Sequence, residues 1–236
     1  HVEKGGKISA GALVVTFPIL AWQLYRSRET APPGAAVSAV IVLPDGMFLD
    51  GVGPPELAIS RDGRTVAFLA RGASGLQQLY VRAIDESLAA VVPNSETAEG
   101  PFFSPDGRWI AFAVGTSALA GGKPELRKYS LDTQLTQSVA PVLDYFGGVW
   151  TSSDELIFVA TQPAGLWKVP AGGGTPQNFV PTVRRGTDES EHALAWPELL
   201  PGDRAVLVSD WEDNTIAVLD LDSRELTPLG LRGAGA

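Results

Sequence analysis

Short apolar runs alternate with polar residues along this chain, and Pro, Asp and Gly break them at regular intervals. The clearest copy reads PFFSPDGRWIAF, Pro101 to Phe112, where two apolar runs flank Asp106-Gly107 with Pro105 ahead of them. Pro presets φ for a turn, Asp bonds its own backbone, and Gly accepts a left-handed conformation. Such a turn between apolar runs predicts a β-hairpin. An earlier copy, PELAISRDGRTVAF from Pro55 to Phe68, places Ser60 forty-four residues before Ser104. Looser copies read VWTSSDELIF, Val149 to Phe158, and PELLPGDRAVLV, Pro197 to Val208.

A second phrase follows each copy: LYVRAID (Leu79 to Asp85), LRKYSLD (Leu126 to Asp132), LWKVPAG (Leu166 to Gly172) and IAVLDLD (Ile216 to Asp222). A further apolar run closes each unit, at Val91-Val92, Val139, Phe179-Val180 and Leu226. The unit is thus four strands long and recurs roughly every 40 to 50 residues, the pattern of β-propeller blades. The expected fold is all-β: a partial propeller of about four four-stranded blades, over residues 38–236. Four is the lower end of the usual range, so the ring is expected to be incomplete. The run SAVIVL, Ser38 to Leu43, reads as a lone leading strand, with Pro44-Asp45-Gly46 as its turn.

The hydrophobic pattern differs at the N-terminus. Between Lys7 and Arg26 lie 18 uncharged residues, ISAGALVVTFPILAWQLY. As a helix they span about 27 Å, close to the thickness of a bilayer core. Eight of them are Ile, Leu, Val or Phe, contributing roughly −2 to −5 kcal/mol on an insertion scale, partly offset by Ser9, Thr16, Pro18 and Gln23. Trp22 and Tyr25 stand at one end, where an interfacial aromatic belt would place them. One transmembrane helix is therefore expected at 8–25, between a juxtamembrane flank at 1–7 and a linker at 26–37. Basic residues flank the stretch equally on both sides, so charge gives no orientation.

Composition narrows the function classes. Net charge is −9, with the first thirty residues at +2 and the remainder at −11. An acidic repeat body lacks the basic footprint that nucleic acid requires. The chain has no cysteine, which removes zinc–thiolate sites. Gly115 to Pro124, GTSALAGGKP, fails as a phosphate loop because Ser117 stands where the first Gly belongs and Pro124 replaces the hydroxyl residue. The acidic clusters TDESEH (Asp188, Glu189, Glu191, His192) and SDWEDN lack the fixed spacing of a calcium loop. His192 is the only internal histidine, and no Gly-x-Ser-x-Gly elbow accompanies it. Asp62 and Asp106 read as turn formers, and Trp109, Trp150, Trp167 and Trp196 as packing between blades. Neither cofactor nor metal is expected. The candidate ligand-binding residues are Tyr145, Phe146, Asp188, Glu189, Glu191 and His192, on loops leading into the first strands of blades.

The phrases SPDGRWIAF and LYVRAID resemble the PD-type, WD40-like repeats of TolB-like propellers. The order VIVLPDGMFLD, AISRDGRTVAFLA, SETAEGPFFSPDGRWIAF, LWKVPAGGGTPQ is similar to the region that follows the kinase domain in bacterial Hanks-type serine/threonine protein kinases. The resemblance covers roughly Ser38 to Leu226. It departs from the usual repeat at Arg61, where Pro is common, and at Ser152-Ser153-Asp154, which replaces Pro-Asp-Gly. In that family a cytoplasmic kinase domain is joined through one membrane helix to a propeller outside the cytoplasm, and the stretch 8–25 sits where that helix would be. The resemblance implies a single-pass membrane protein whose non-catalytic propeller binds a protein or small molecule at its rim. The Gly-rich loop, HRD and DFG signatures of the kinase domain are absent from these residues, so no catalytic role transfers to any position. Two alternatives stand beside this reading: the substrate-gating propeller of a prolyl-oligopeptidase-like serine peptidase, and a TolB-like periplasmic scaffold.

Overall fold

Four turns set the architecture, and they are the same turn. In each, the fourth residue donates its backbone N–H to the carbonyl of the first: Gly63 to Ser60 at 2.8 Å, Gly107 to Ser104 at 2.9 Å, and both Asp154 to Thr151 and Asp203 to Leu200 at 3.1 Å. That fourth residue has positive φ every time, 71° and 70° at the two glycines, 61° at Asp154 and 57° at Asp203. Asp is among the few side chains that tolerate the left-handed region, so the third and fourth repeats keep the turn without glycine there. In the first two turns a hydroxyl completes the geometry. Ser60 Oγ donates to Asp62 Oδ1 and Ser104 Oγ to Asp106 Oδ1, both at 2.6 Å. The same two hydroxyls accept the backbone N–H groups of Thr65 and Trp109 at 2.9 Å.

The computed structural model describes residues 43, 46–49, 57–72, 75–116, 123–161, 164–181, 194–210 and 214–232. These build sixteen strands in four antiparallel sheets of four. The first blade holds β1 (Leu57–Ile59), β2 (Thr65–Arg71), β3 (Gln77–Ala83) and β4 (Ala90–Val91); the second holds β5 (Glu99–Phe103), β6 (Trp109–Val114), β7 (Glu125–Ser130) and β8 (Thr136–Pro141). The third holds β9 (Tyr145–Trp150), β10 (Glu155–Thr161), β11 (Ala164–Pro170) and β12 (Gln177–Pro181); the fourth holds β13 (Leu194–Leu199), β14 (Ala205–Asp210), β15 (Thr215–Asp220) and β16 (Leu226–Arg232). Every sheet is a simple meander, and the turns at Asp62-Gly63 and Asp106-Gly107 fall at equivalent places. The all-β propeller read from the repeat is thus the fold found. The stretch 8–25, the linker and most of the leading strand lie outside the described residues. Among the described residues, no helix is long and apolar enough to cross a membrane.

The core lies between blades. The first strands β1, β5, β9 and β13 neighbour one another in sequence order, so they form the inner wall. Alternate residues of each second and third strand face the preceding or the following blade. Ala67, Leu69 and Leu79 meet Ile110, Phe112 and Val114 between the first and second blades. Ala111, Ala113 and Leu126 meet Trp150, Leu156 and Phe158 between the second and third. Ile157, Val159 and Leu166 meet Val206, Val208 and Leu219 between the third and fourth. Phe68, Phe112 and Phe158 are each at most 1% exposed, and such burial contributes about 1.5–3 kcal/mol per side chain. Trp150 is core, and Trp109 and Trp167 pack on that cluster, as expected for three of the four repeat tryptophans.

Candidate functional site

The inner wall is narrow because glycine and proline line it. A Cβ on Gly148 would stand 2.8 Å from Phe102 Cε1 and 3.1 Å from the Ile157 carbonyl, and one on Gly147 would stand 3.1 Å from Pro197. A Cβ on Gly100 would stand 2.7 Å from Tyr145 Cε1. The glycines therefore leave room for side chains of the neighbouring inner strand, Phe102 at Gly148 and Tyr145 at Gly100. Each inner strand pairs with its own second strand on one side only. Its other edge presents backbone groups toward the axis, as the free edge of any sheet does.

A cleft of about 570 Å³ opens along that wall, with residues of all four blades around it. Its apolar lining includes Leu57 and Ile59, which are 43% and 55% exposed although they are strand residues. Phe103 and half-buried Trp196 add aromatic surface. Three charged residues complete the lining: Arg61 on the first turn, Glu198 on β13 and Asp203 on the fourth turn. Glu198 is exposed to the cleft yet surrounded by protein, and desolvation raises its pKa above the ordinary carboxylate value. Asp203 is shifted the other way. The hydroxyl of Ser152 and then its backbone N–H hold it down, and the nearby charge of Arg61 adds to the effect. Arg61 and Asp203 thus bring the turns of the first and fourth blades into electrostatic reach at the mouth, while Asp203 ties the fourth turn to the third.

The residues chosen from sequence fare unequally. Tyr145 is not a loop aromatic offered to a ligand. It begins β9, is 3% exposed, and donates its hydroxyl to the Gly100 carbonyl at 2.8 Å. Burial, with Glu99 nearby, pushes its phenol well above the ordinary pKa. The absence of a side chain at Gly100 makes the seat for this ring, so Tyr145 belongs to the packing of the second blade against the third. Phe146 is half-buried against the cluster between the third and fourth blades. Asp188, Glu189, Glu191 and His192 lie outside the described residues. The stretches Glu96 to Gly100 and Asp144 to Gly148 run into β5 and β9, and the Asp144 carboxylate accepts from Thr161 Oγ1 at 3.1 Å.

The cleft residues Leu57, Ile59, Arg61, Glu198 and Asp203 were not singled out by the sequence pattern, and Trp196 was read as core. A usable signal was present in the repeat itself. Aligned through their pairing with β2, β6, β10 and β14, Ala58, Phe102, Val149 and Glu198 occupy one position. The lone carboxylate in an apolar column marks that place. Among the described residues, no group of three or more His, Cys, Asp or Glu side chains gathers to hold a metal ion.

Comparison with known proteins agrees with the architecture. TolB from Acinetobacter baumannii matches with a TM-score of 0.57 at 17% identity, over 78% of this chain and 43% of that one. A protein assigned as TolB in Agrobacterium tumefaciens matches with a TM-score of 0.61 at 13% identity, over 74% and 64%. A chain of the nidogen/laminin complex matches at 0.55 and 15%, over 72% and 60%. These likenesses show the fold alone. The chain spans less than two thirds of each of these structures. No protein-family profile and no curated protein matches it.

Proposed function

We propose that this chain is a binding module that takes an extended segment of a partner protein into the cleft between its inner strands. The observation that carries the reading is the lining itself. Leu57 and Ile59 expose large aliphatic surface inside a concavity, beside inner strands with a free backbone edge. Extended peptides bind such edges through their main chain, and pockets for alternate side chains give specificity. A volume of this size is in the usual range for ligand sites. Arg61, Asp203 and Glu198 supply charges of both signs, which fix the direction in which a segment lies.

The wider context we infer is the sensor region of a membrane-anchored bacterial serine/threonine protein kinase. The repeat phrases and the apolar stretch 8–25 support it. A TolB-like scaffold is the second reading, supported by the fold shared with TolB.

The test is a displayed peptide library selected on the wild-type chain and counter-screened on Ile59→Glu and Leu57→Glu. Both side chains are exposed, so the fold tolerates the change. Selected peptides should bind wild type and lose at least tenfold in affinity on each variant, with quenching or enhancement of tryptophan fluorescence through Trp196. Peptides that bind both variants as well as wild type would place the site elsewhere and refute the reading.

A further inference from the structure

The second residue of the hairpin turn is Pro105 in the second blade, Ser152 in the third and Pro201 in the fourth, but in the first it is Arg61. Arg61, Pro105 and Pro201 all line the mouth of the cleft. Arg61 is not part of an outer blade face. Beside it lies the turn of the second blade, where a Cβ on Gly107 would stand 3.6 Å from Ser60 Cβ. Across the mouth stands Asp203, whose carboxylate accepts the Ser152 N–H and feels the charge of Arg61. The turns beside and opposite Arg61 are therefore both in place, and the surroundings of its side chain are those of the mouth itself.

Arg61 carries its N–H donors on a planar fork. Among the described residues its guanidinium makes no hydrogen bond and no ion pair, Asp203 included. Asp203 is engaged with the hydroxyl and the N–H of Ser152, and Asp62 with Ser60 Oγ and the Arg64 N–H. The wall around Arg61 is poor in other donors, because Pro101, Pro105, Pro197 and Pro201 have no N–H. A carboxylate entering the mouth thus meets one open fork, and bidentate pairing suits the geometry of both groups. We propose that the segment taken by the cleft carries a carboxylate, on an acidic side chain or at its own C-terminus, that Arg61 holds at the mouth. The inference rests on the peptide-binding reading of the cleft and gives the segment a polarity. The net charge of −9 does not forbid it, since charges are screened beyond about 8 Å at physiological ionic strength and the pairing is a direct contact. Ile59 and Leu57 lie two and four residues before Arg61, about 7 and 13 Å along an extended strand. The expected segment therefore has apolar residues at that spacing from its carboxylate.

The experiment selects peptides with free C-termini from a displayed library on the wild-type chain and keeps those that Ile59→Glu rejects. Each is then made with its acidic side chain replaced by the amide and, separately, with an amidated C-terminus; the change that weakens binding names the source of the carboxylate. One of the two should cost about tenfold in affinity, the scale of a hydrogen bond to a charged group. Arg61→Gln and Arg61→Pro should cost about as much on the unmodified peptide, and at most about twofold on the neutralised one. Proline fits the place, as Pro105 and Pro201 show, and the Arg61 N–H donates to no carbonyl in the turn. Circular-dichroism melts confirm that the variants are folded. Selection on Arg61→Glu should return Lys or Arg where wild type returns the carboxylate, and continued return of acidic residues there overturns the proposal. So do kept peptides that lose less than about twofold on both neutralisations, or that bind either neutral Arg61 variant as they bind wild type; these results leave the cleft reading standing. A library that yields no peptide rejected by Ile59→Glu overturns the cleft reading, and the carboxylate seat falls with it.

Discussion

Tyr145 decides between two accounts of the stretch from Asp144 to Gly148. As a rim aromatic it would be dispensable for folding; as the structure has it, Tyr145→Ala empties a seat between blades. The ring is 3% exposed and packs in the cluster that includes Phe102, Trp150 and Phe158. It lies on the Cα of Gly100, and its hydroxyl donates to the Gly100 carbonyl. Removing a buried aromatic costs about 3–5 kcal/mol. Tyr145→Phe keeps the ring and leaves that carbonyl without its donor, a cost of about 1–3 kcal/mol. For a protein of this size each kcal/mol lowers Tm by about 2–4 °C. The two variants should therefore melt roughly 6–20 °C and 2–12 °C below wild type, with Ala the larger effect in any one scan. Phe146→Ala, at a half-buried position, should fall well short of Tyr145→Ala. Thermal unfolding followed by near-UV circular dichroism reports it directly, because Trp150 belongs to the same cluster. A Tyr145→Ala melt within about 2 °C of wild type, less than one kcal/mol is worth, would refute the packing argument and return the residue to the rim.

Two further outcomes test the inner wall and the turns. Gly148→Ala forces a methyl against Phe102 and the Ile157 carbonyl, so urea unfolding should show a loss of about 1–3 kcal/mol, and an unchanged midpoint would mean that the inner strands are farther apart than described. Asp106 has its pKa lowered from 3.8, first by the Ser104 hydroxyl and then by the Arg108 N–H. A depressed carboxylate contributes stability above its unfolded pKa and loses it as pH falls through the folded value. Carbon NMR of the carboxylate should titrate below 3.8 and return toward 3.8 in Ser104→Ala; no movement would break the assigned hydrogen bond.

The repeat was legible because a turn has few chemical solutions. Pro, Asp and Gly mark it in the first two blades, and the hydrophobic period after it is the strand period. Even Ser152-Ser153-Asp154, which lacks both Pro and Gly, keeps the geometry, with Thr151 Oγ1 and Ser153 Oγ 2.9 Å apart and Asp154 accepting from Trp150 Nε1 at 2.9 Å. Side-chain direction was harder to read. Tyr145 and Phe146 are adjacent and both aromatic, and nothing in the pair says that a glycine forty-five residues earlier makes room for one of them. That information is held in the juxtaposition of β5 and β9, which only the closed packing of blades supplies. The cleft was hidden for a related reason. Exposed Leu57 and Ile59 look like any β-strand residues until the first strands are known to be innermost.

Where three or all four repeats agree, the shared feature holds the blade together. Such are the hydroxyl at Ser60, Ser104 and Thr151, the positive φ at the fourth turn position, and the buried leucine at Leu79, Leu126 and Leu166. Where they disagree, the divergent residues gather on the axis. Leu57, Pro101, Gly148 and Pro197 occupy one column, Ala58, Phe102, Val149 and Glu198 the next, and Arg61, Pro105, Ser152 and Pro201 the second turn position after them. A fold made of one repeated unit gains a directional site only by breaking its own repetition. Arg61 on the first turn and Glu198 on β13 are such breaks, and both line the cleft that Asp203 also lines. Asp203 also serves a second role, since its carboxylate holds the Ser152 N–H of the neighbouring blade and feels the charge of Arg61 across the mouth. In the complex proposed above, a cationic group on the bound segment would compete with Arg61 for a carboxylate that also fixes the third turn against the fourth.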